Sequence, residues 1–308
     1  MLAYPLLLTC FYGGITFLVY TILIFIIIAN WKHFNSTYYK LFIVDYFFNL
    51  LTFLNSFITL RIPQNTCAKC DLTDLLSLHT KDNYSDFPLY IFYTLQYGMA
   101  YVQYSMILLF SFNRFTSVYF LNNREWLWSK IWVYLIILIC LFSFFLTSDL
   151  LKFRVYYSYY ETLDYFSTQS EGDVLGTFRI LIYFMIIVTC ITAVLNISSV
   201  YHLYELTSKI SRAETNLILV SFWSFIIQLF AIIIMSVQSF GMNSNNETSP
   251  WARFTVRIIP YVSDTLTLGQ PWLLLVFSKT TRTLISRIGK NVFKWNPTSV
   301  YNIQNDIL

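Results

Sequence analysis

Residues that could carry out enzymatic chemistry are few and scattered in this chain. The three histidines, His33, His79 and His202, are not paired at the spacing that metal ligands use. The sequence also lacks a Walker A motif, a dinucleotide-binding glycine pattern and a GxSxG motif. We therefore expect a protein that is not an enzyme and that carries no cofactor and no metal.

Two acidic residues, Asp45 and Asp264, lie inside long apolar stretches. A charged side chain in such a stretch costs about 3 kcal/mol on insertion scales, so each should face the inside of a helix bundle and have a partner. For Asp45, a local contact with Lys40 or Asn49 could supply that partner.

The last apolar stretch is unusually polar. Pro271 removes a backbone hydrogen bond, which predicts a kink, and Gln270 adds a polar group beside it. Asp264 in the middle of this stretch is typical of a part that moves, or equally of a structural polar network or an ion site. Arg257 lies nearer the start, where it could extend its charge to the surface or bind an anionic ligand group.

The third apolar stretch is rich in Tyr and Gln at its beginning. Tyr and Gln are the polar groups that orient small molecules in otherwise apolar pockets, although they also serve as hydrogen-bonding contacts between helices. The predicted ligand-binding residues, from this stretch and the last one, are Gln96, Tyr97, Tyr101, Tyr104, Arg257, Tyr261 and Asp264.

An arginine ends the third stretch, in the pair Asn113-Arg114. Such an arginine can hold a bundle closed through hydrogen bonds and then turn towards a partner when the bundle opens. The alternative is an ordinary cationic anchor at the membrane surface.

The loops carry sites of covalent chemistry. Cys67 and Cys70 form a CxxC motif that can close on itself, or one member can reach Cys10. Asn83 and Asn246 begin glycosylation sequons in predicted outer loops.

The apolar stretches that carry most of these residues are predicted to lie in a lipid bilayer. The chain has 308 residues, of which 56% are hydrophobic and only 12% charged, about half the charged share of soluble domains. Seven apolar stretches are long enough to span a bilayer; they cover residues 6–29, 39–60, 89–113, 131–148, 180–201, 217–240 and 254–277. We predict an all-α membrane protein with seven transmembrane helices and the lipid bilayer as a partner. The formal net charge of +4 is too small to indicate nucleic acid.

Basic residues predict the orientation. With the N-terminus outside, the three inner loops and the tail carry two, three, two and five Lys or Arg, twelve of the 20 in the chain. Residues 279–294 are amphipathic and cationic, which favours a short helix on the inner leaflet over a plain stop signal. We expect one transmembrane domain over residues 1–295 and a short cytoplasmic tail over 296–308.

Short sequence blocks in the second to seventh stretches carry a family resemblance. They are Lys40–Asp45, Leu54–Phe57, Leu60–Pro63, Ala100–Ser105, Ser111–Ser117, Trp132, Ala213–Glu214, Val262–Asp264, Gln270–Trp272 and Phe277–Ser278, with Arg282 after the last stretch. In this order and spacing they resemble the nematode serpentine chemoreceptors of class gamma, which belong to the seven-transmembrane G-protein-coupled receptor superfamily.

The resemblance implies a rhodopsin-like bundle in the plasma or ciliary membrane, a small-molecule chemical ligand and a heterotrimeric G protein as partner. Asn113 stands where the superfamily has an acidic residue beside the switch arginine. The residues that this reading assigns to G-protein coupling are Asn113, Arg114, Lys209, Arg212, Glu214 and Arg282. The alternative hypothesis is a carrier or ligand-gated channel built on the same bundle, with Asp264 and Arg257 lining its path.

Overall fold

The computed structural model describes residues 4–32, 34, 36–70, 72–81, 87–120, 124–161, 164–205, 212–243, 250–278, 281–283 and 285. This part of the chain contains seven long helices: α1 (Tyr4–Ala29), α2 (Thr37–Ser56), α5 (Leu89–Tyr119), α6 (Arg124–Thr147), α7 (Val174–Glu205), α8 (Arg212–Asn243) and α9 (Pro250–Phe277). Two short helices, α3 (Ile62–Gln64) and α4 (Thr73–Ser77), follow α2.

Five of the long helical segments are long and apolar enough to cross a membrane: Tyr4–Ala29, Thr37–Gln64, Trp128–Lys152, Val174–Tyr204 and Thr215–Gln238. The other two long helices, α5 and α9, hold most of the polar residues singled out above. Each of the seven predicted stretches falls inside one long helical segment, and seven membrane crossings remain a prediction.

The long helices pack into a bundle around α5, which contacts α2, α6, α7 and α8. Helix α9 contacts α1, α2 and α8. The approach of α6 to α5 depends on a glycine: the Ser143 hydroxyl donates to the carbonyl of Gly98 at 2.7 Å, and a side chain at Gly98 would press against Ser143.

Helix α2 ends irregularly. The segment Phe57–Arg61 forms a π-turn, whose hydrogen bonds span five residues instead of the four of an α-helix and which is frequent at functional sites. Pro63 follows in α3 and has no amide hydrogen. It therefore cannot donate to the carbonyl one turn earlier, that of Thr59 at α-helical spacing or of Ile58 at π-helical spacing.

A β-hairpin supplies the missing donors. Strands β1 (Val155–Tyr160) and β2 (Tyr165–Ser170) pair antiparallel, with Tyr157 opposite Thr168. The Tyr157 hydroxyl donates to the carbonyl of Ile58 at 3.0 Å, and the Thr168 hydroxyl donates to the carbonyl of Thr59 at 2.7 Å. The hairpin therefore caps the end of α2, and we call this side of the bundle the hairpin end.

Sequence analysis did not predict this hairpin. A small apolar cluster of Leu76, Leu89, Tyr157 and Phe166 fixes it against α4 and the start of α5. Its tip contains Asp164, whose φ of 50° is one of the left-handed conformations that Asp tolerates.

The opposite side of the bundle is closed by an aromatic core, which includes Tyr20, Phe34, Tyr38, Phe42 and Trp128. Because Arg114 lies here, we call it the Arg114 end. Helix α9 is continuous through Pro260 and Pro271, so the predicted kink at Gln270 and Pro271 stays a prediction. The predicted surface helix at 279–294 lies mostly outside the described residues.

Candidate functional site

A hydrogen-bonded polar layer joins three helices inside the bundle. The hydroxyl groups of Ser111 in α5 and Ser221 in α8 lie 3.0 Å apart, and the side-chain amide of Asn196 in α7 donates to the Ser111 hydroxyl at 3.1 Å. All three side chains are buried. Such bonds hold helices together in lipid, where helix association has no hydrophobic drive.

Helices α5 and α8 run in opposite directions. Ser111 contacts Ser221, whereas Tyr104, earlier in α5, packs in the same cluster as Ala231, later in α8. Tyr104 lies seven residues before Ser111, and Gln228 lies seven residues after Ser221. Seven residues make nearly two helical turns, so Tyr104 and Gln228 fall at one level and on the same helix faces as the serines.

Thr189 of α7 lies at this level too, because it is seven residues before Asn196. Here the polar atoms are not satisfied. The hydroxyl oxygens of Tyr104 and Thr189 and both amide atoms of Gln228 are buried without a hydrogen-bond partner in the described part of the chain, as is the hydroxyl of Tyr101. We call Tyr101, Tyr104, Thr189 and Gln228 the unpaired polar layer.

The surroundings of the unpaired polar layer are apolar. Leu181, Met185 and Val188 of α7 and Val262 of α9 pack around it, and the ring of Phe184 lies 4.9 Å from that of Tyr101. The layer therefore offers several hydrogen-bonding groups inside an aromatic and aliphatic enclosure, which is the composition of a small-molecule pocket.

The other predicted ligand-binding residues of α5 lie closer to the hairpin end. The Tyr97 hydroxyl lies 3.5 Å from that of Tyr93, and the side-chain carbonyl oxygen of Gln96 is buried without a partner among the described residues. Two further predicted residues, Arg257 and Tyr261 of α9, are exposed. The structure does not bring these two into the buried layer, and their role stays a prediction.

Asp264 forms a buried ion pair with Arg61, a residue at the end of the π-turn. The Tyr12 hydroxyl of α1 donates to the other oxygen of the same carboxylate. The Ser56 hydroxyl accepts from Nε of Arg61 at 2.8 Å. Asp264 thus ties α1, the end of α2 and α9 together at the hairpin end, as a structural polar network would.

Sequence analysis missed this role of Arg61, which appeared there only within the block Leu60–Pro63. A usable signal was present, because a buried carboxylate in lipid needs a counter-charge. The arginines on the predicted outer side of the bundle are Arg61, Arg154, Arg179, Arg253 and Arg257.

Asp45 has partners within the bundle. The side-chain amide of Asn49 donates to its carboxylate at 2.7 Å, and the Tyr20 hydroxyl donates to the same oxygen at 3.2 Å. The predicted contact with Asn49 is therefore confirmed. Asn49 also accepts from the amide of Gln103 at 3.5 Å, which extends the network to α5.

Arg114 is buried at the end of α5 and lies over an aromatic ring. Its guanidinium carbon is 4.2 Å from the ring centre of Tyr38 in α2, a cation–π contact. Its Nη2 donates to the side-chain oxygen of Asn113 at 3.1 Å. These two contacts tie the arginine to α2 and to its own helix.

The remaining predicted coupling residues are less fully described. Lys209 lies outside the described residues, as do the side chains of Arg212 and Glu214 in the first turn of α8. Arg282 is exposed, and its guanidinium donates to the carbonyls of Leu275, at 3.2 Å, and Val276, which caps the end of α9.

The CxxC motif is closed on itself by a Cys67–Cys70 disulfide, while Cys10 is a free thiol. Of the two alternatives for this motif, the structure contains the first. The amide of Ala68 within the motif donates to Asp164 at the hairpin tip at 3.0 Å. Asn83 and Asn246 lie outside the described residues, so their glycosylation stays a prediction.

Two pKa values in the hairpin follow from its contacts. The amide of Ala68, and then the hydroxyl of Tyr159, hold the pKa of the Asp164 carboxyl below its usual value. Burial raises the pKa of Tyr157 to about 12, so its hydroxyl stays protonated and able to donate to a more alkaline pH than an exposed tyrosine would.

Comparison with known proteins identifies the family. Residues 6–285 match the family described as Srg family chemoreceptor. The chain is 30% identical to serpentine receptor class gamma-31 of Caenorhabditis elegans, over 97% of each chain. With the apolar helices, these matches point to a multi-pass membrane protein and to a chemosensory receptor rather than an enzyme. As the sequence blocks predicted, this chain belongs to the Srg family of chemoreceptors.

Proposed function

We propose that this receptor binds a small molecule at the unpaired polar layer and activates a heterotrimeric G protein from the Arg114 end. All seven long helices would cross the plasma or ciliary membrane, with the hairpin end outside and the Arg114 end in the cytoplasm. The rhodopsin-like arrangement of these helices is part of the same proposal.

The observation that carries the proposal is the contrast between the two polar layers. Ser111, Asn196 and Ser221 satisfy one another, whereas Tyr104, Thr189 and Gln228, two turns away, leave their polar atoms without partners. A buried polar atom without a hydrogen bond costs about 1–3 kcal/mol. A ligand that donates to and accepts from this layer would remove that cost, and the apolar walls would hold its hydrocarbon part.

Helix α5 connects this layer to the Arg114 end. Tyr104 and Arg114 are ten residues apart in one continuous helix, which is about 15 Å along its axis. A ligand can change the opposite end only if it binds the open bundle more tightly than the closed one. We propose that in the open state Arg114 leaves the ring of Tyr38 and becomes available to the G protein.

Cells that express the full chain test this proposal through a screen of neutral small molecules with G-protein activation as the readout. We expect a ligand whose signal is lost in Arg114→Ala while the amount of receptor at the surface is kept. Tyr38→Phe is the matched control, since a phenylalanine ring preserves the cation–π contact and should preserve signalling.

Two results would contradict the proposal. Full signalling by Arg114→Ala would remove the switch role, and a ligand whose potency does not change in Tyr104→Phe or Gln228→Leu would place the binding site elsewhere. Ion or solute flux through purified protein in liposomes, without any G protein, would favour a carrier or channel instead.

A further inference from the structure

The Arg61 guanidinium is incompletely bonded although it is only 3% exposed. A guanidinium has five N–H donors. Nε donates to the Ser56 hydroxyl and Nη2 donates to Asp264, but Nη1 is buried without a partner among the described residues. An unpaired edge of a buried arginine is a strong hydrogen-bond donor that lacks an acceptor.

The side chain is fixed in this position. The ring centres of Phe53 and Phe57 lie 4.7 Å and 5.1 Å from the guanidinium carbon and 5.2 Å from each other, so two adjacent aromatic rings hold the charge. A rotation that gave Nη1 a partner would break the bonds to Ser56 or Asp264. The free donor is therefore preorganised rather than a result of a loose side chain.

The backbone beneath Arg61 is fixed too. Arg61 ends the π-turn whose carbonyls, at Ile58 and Thr59, accept hydrogen bonds from the hairpin residues Tyr157 and Thr168. The hairpin therefore sets the position from which the arginine reaches Asp264.

The charges select the kind of acceptor. Asp264 already neutralises Arg61, so a second anion at Nη1 would gain attraction from the arginine and lose nearly as much to repulsion from the aspartate. It would also lose its hydration without compensation. A neutral oxygen, such as that of a ketone, aldehyde, ester or amide, accepts the hydrogen bond at a much smaller desolvation cost.

We propose that Nη1 of Arg61 binds the acceptor oxygen of a neutral carbonyl-containing small molecule, whose apolar part lies against Phe53 and Phe57. This site lies between α1, α2 and α9 at the hairpin end, separate from the unpaired polar layer. This proposal rests on the proposed function in one respect, namely that the receptor binds a small molecule.

Direct binding to the full-length receptor in phosphatidylcholine nanodiscs tests the site. The probes are medium-chain methyl ketones, the alkanes of the same lengths and the carboxylates of the same lengths. We expect saturable ketone binding that is tighter than alkane and carboxylate binding by about tenfold or more, the effect of one hydrogen bond to a charged donor.

Variants assign the preference to Arg61. Arg61→Lys keeps the charge but removes the Nη1 edge, and should abolish the ketone preference. Arg61→Met combined with Asp264→Met removes both charges together. This double variant tests the loss of the ketone preference if the single variant does not fold. Arg179→Lys, an exposed arginine of α7, is the matched control and should keep the preference.

The inference is wrong if ketones and alkanes bind equally well, or if the preference for ketones survives the loss of Arg61. It is also wrong if ketone binding does not saturate, because water alone would then be the hydrogen-bond partner of Nη1. G-protein activation is measured separately. Arg61-dependent ketone binding without activation would support this site alone, because the proposed function places its ligand at the unpaired polar layer. Activation by a ligand indifferent to Arg61 would support the proposed function alone.

Discussion

The buried Arg61–Asp264 ion pair makes a quantitative prediction about stability. Removing one partner of a buried pair leaves an uncompensated charge, which costs about 3–5 kcal/mol. We expect this cost in full for Asp264→Leu, because among the described residues Arg61 would then keep only the Ser56 hydroxyl as a hydrogen-bond partner and already lacks one at Nη1. Arg61→Met should be similar, since the carboxylate would keep only the hydroxyl of Tyr12.

The double variant distinguishes an ion pair from two independent residues. With both charges removed, the main loss is the acceptor of the half-buried Tyr12 hydroxyl, about 1–2 kcal/mol. Arg61→Met combined with Asp264→Leu should therefore be more stable than either single variant, with a coupling energy of about 4–9 kcal/mol in magnitude.

Thermal unfolding in nanodiscs measures these differences. Each single variant should lower the unfolding midpoint by about 10 °C and the double variant by only a few degrees. Arg257→Met, which removes an exposed arginine of α9, is the matched control and should change stability by less than about 0.5 kcal/mol. Additive effects, with the double variant less stable than both single ones, would refute the reasoning.

Three further predictions concern the hairpin and the unpaired polar layer. Tyr157→Phe and Thr168→Val each leave a carbonyl at the end of α2 without its hydrogen-bond donor. Each should therefore lower the free energy of unfolding by about 1 kcal/mol. Each should also speed the hydrogen exchange of backbone amides that follow the π-turn, measured by mass spectrometry. Tyr104→Phe should stabilise the ligand-free receptor by about 1 kcal/mol in the same unfolding assay, since it removes a buried hydroxyl that has no partner. The stability that the Asp164 carboxylate contributes is fully present above the usual carboxyl pKa of 3.8 and is lost as the pH falls through the lower pKa of the folded protein. Asp164→Asn should therefore loosen the hairpin tip at neutral pH, whereas mild acid should not. Hydrogen exchange at the Ala68 amide measures both effects.

The long helices could be predicted from the sequence because lipid leaves the backbone few choices. A chain without water to bond its amides must form helices or a closed barrel, so each apolar stretch of sufficient length indicates a helix. Polar residues within the stretches were informative for the same reason. Asp45 was expected to have a local partner, and Asn49, one helical turn away, supplies it.

Partners that are distant in sequence could not be predicted. Arg61 and Asp264 are 203 residues apart, and nothing in the sequence distinguishes Arg61 from Arg257 as the counter-charge. The unpaired polar layer needs the helix registers as well. Tyr104 could be suspected from its residue type, but Gln228 joins it only because a bond between two serines sets the level of α8 against α5.

The hairpin shows how one proline determines a long-range contact. Pro63 cannot donate to the preceding turn, so the carbonyls at the end of α2 need donors from elsewhere. Tyr157 and Thr168 meet this need because they face each other across the two strands and so project from the same side of the hairpin. Their bonds go to backbone carbonyls rather than to side chains. The two hydroxyls therefore hold the π-turn in place, while the rings of Tyr157 and Phe166 anchor the hairpin in the apolar cluster.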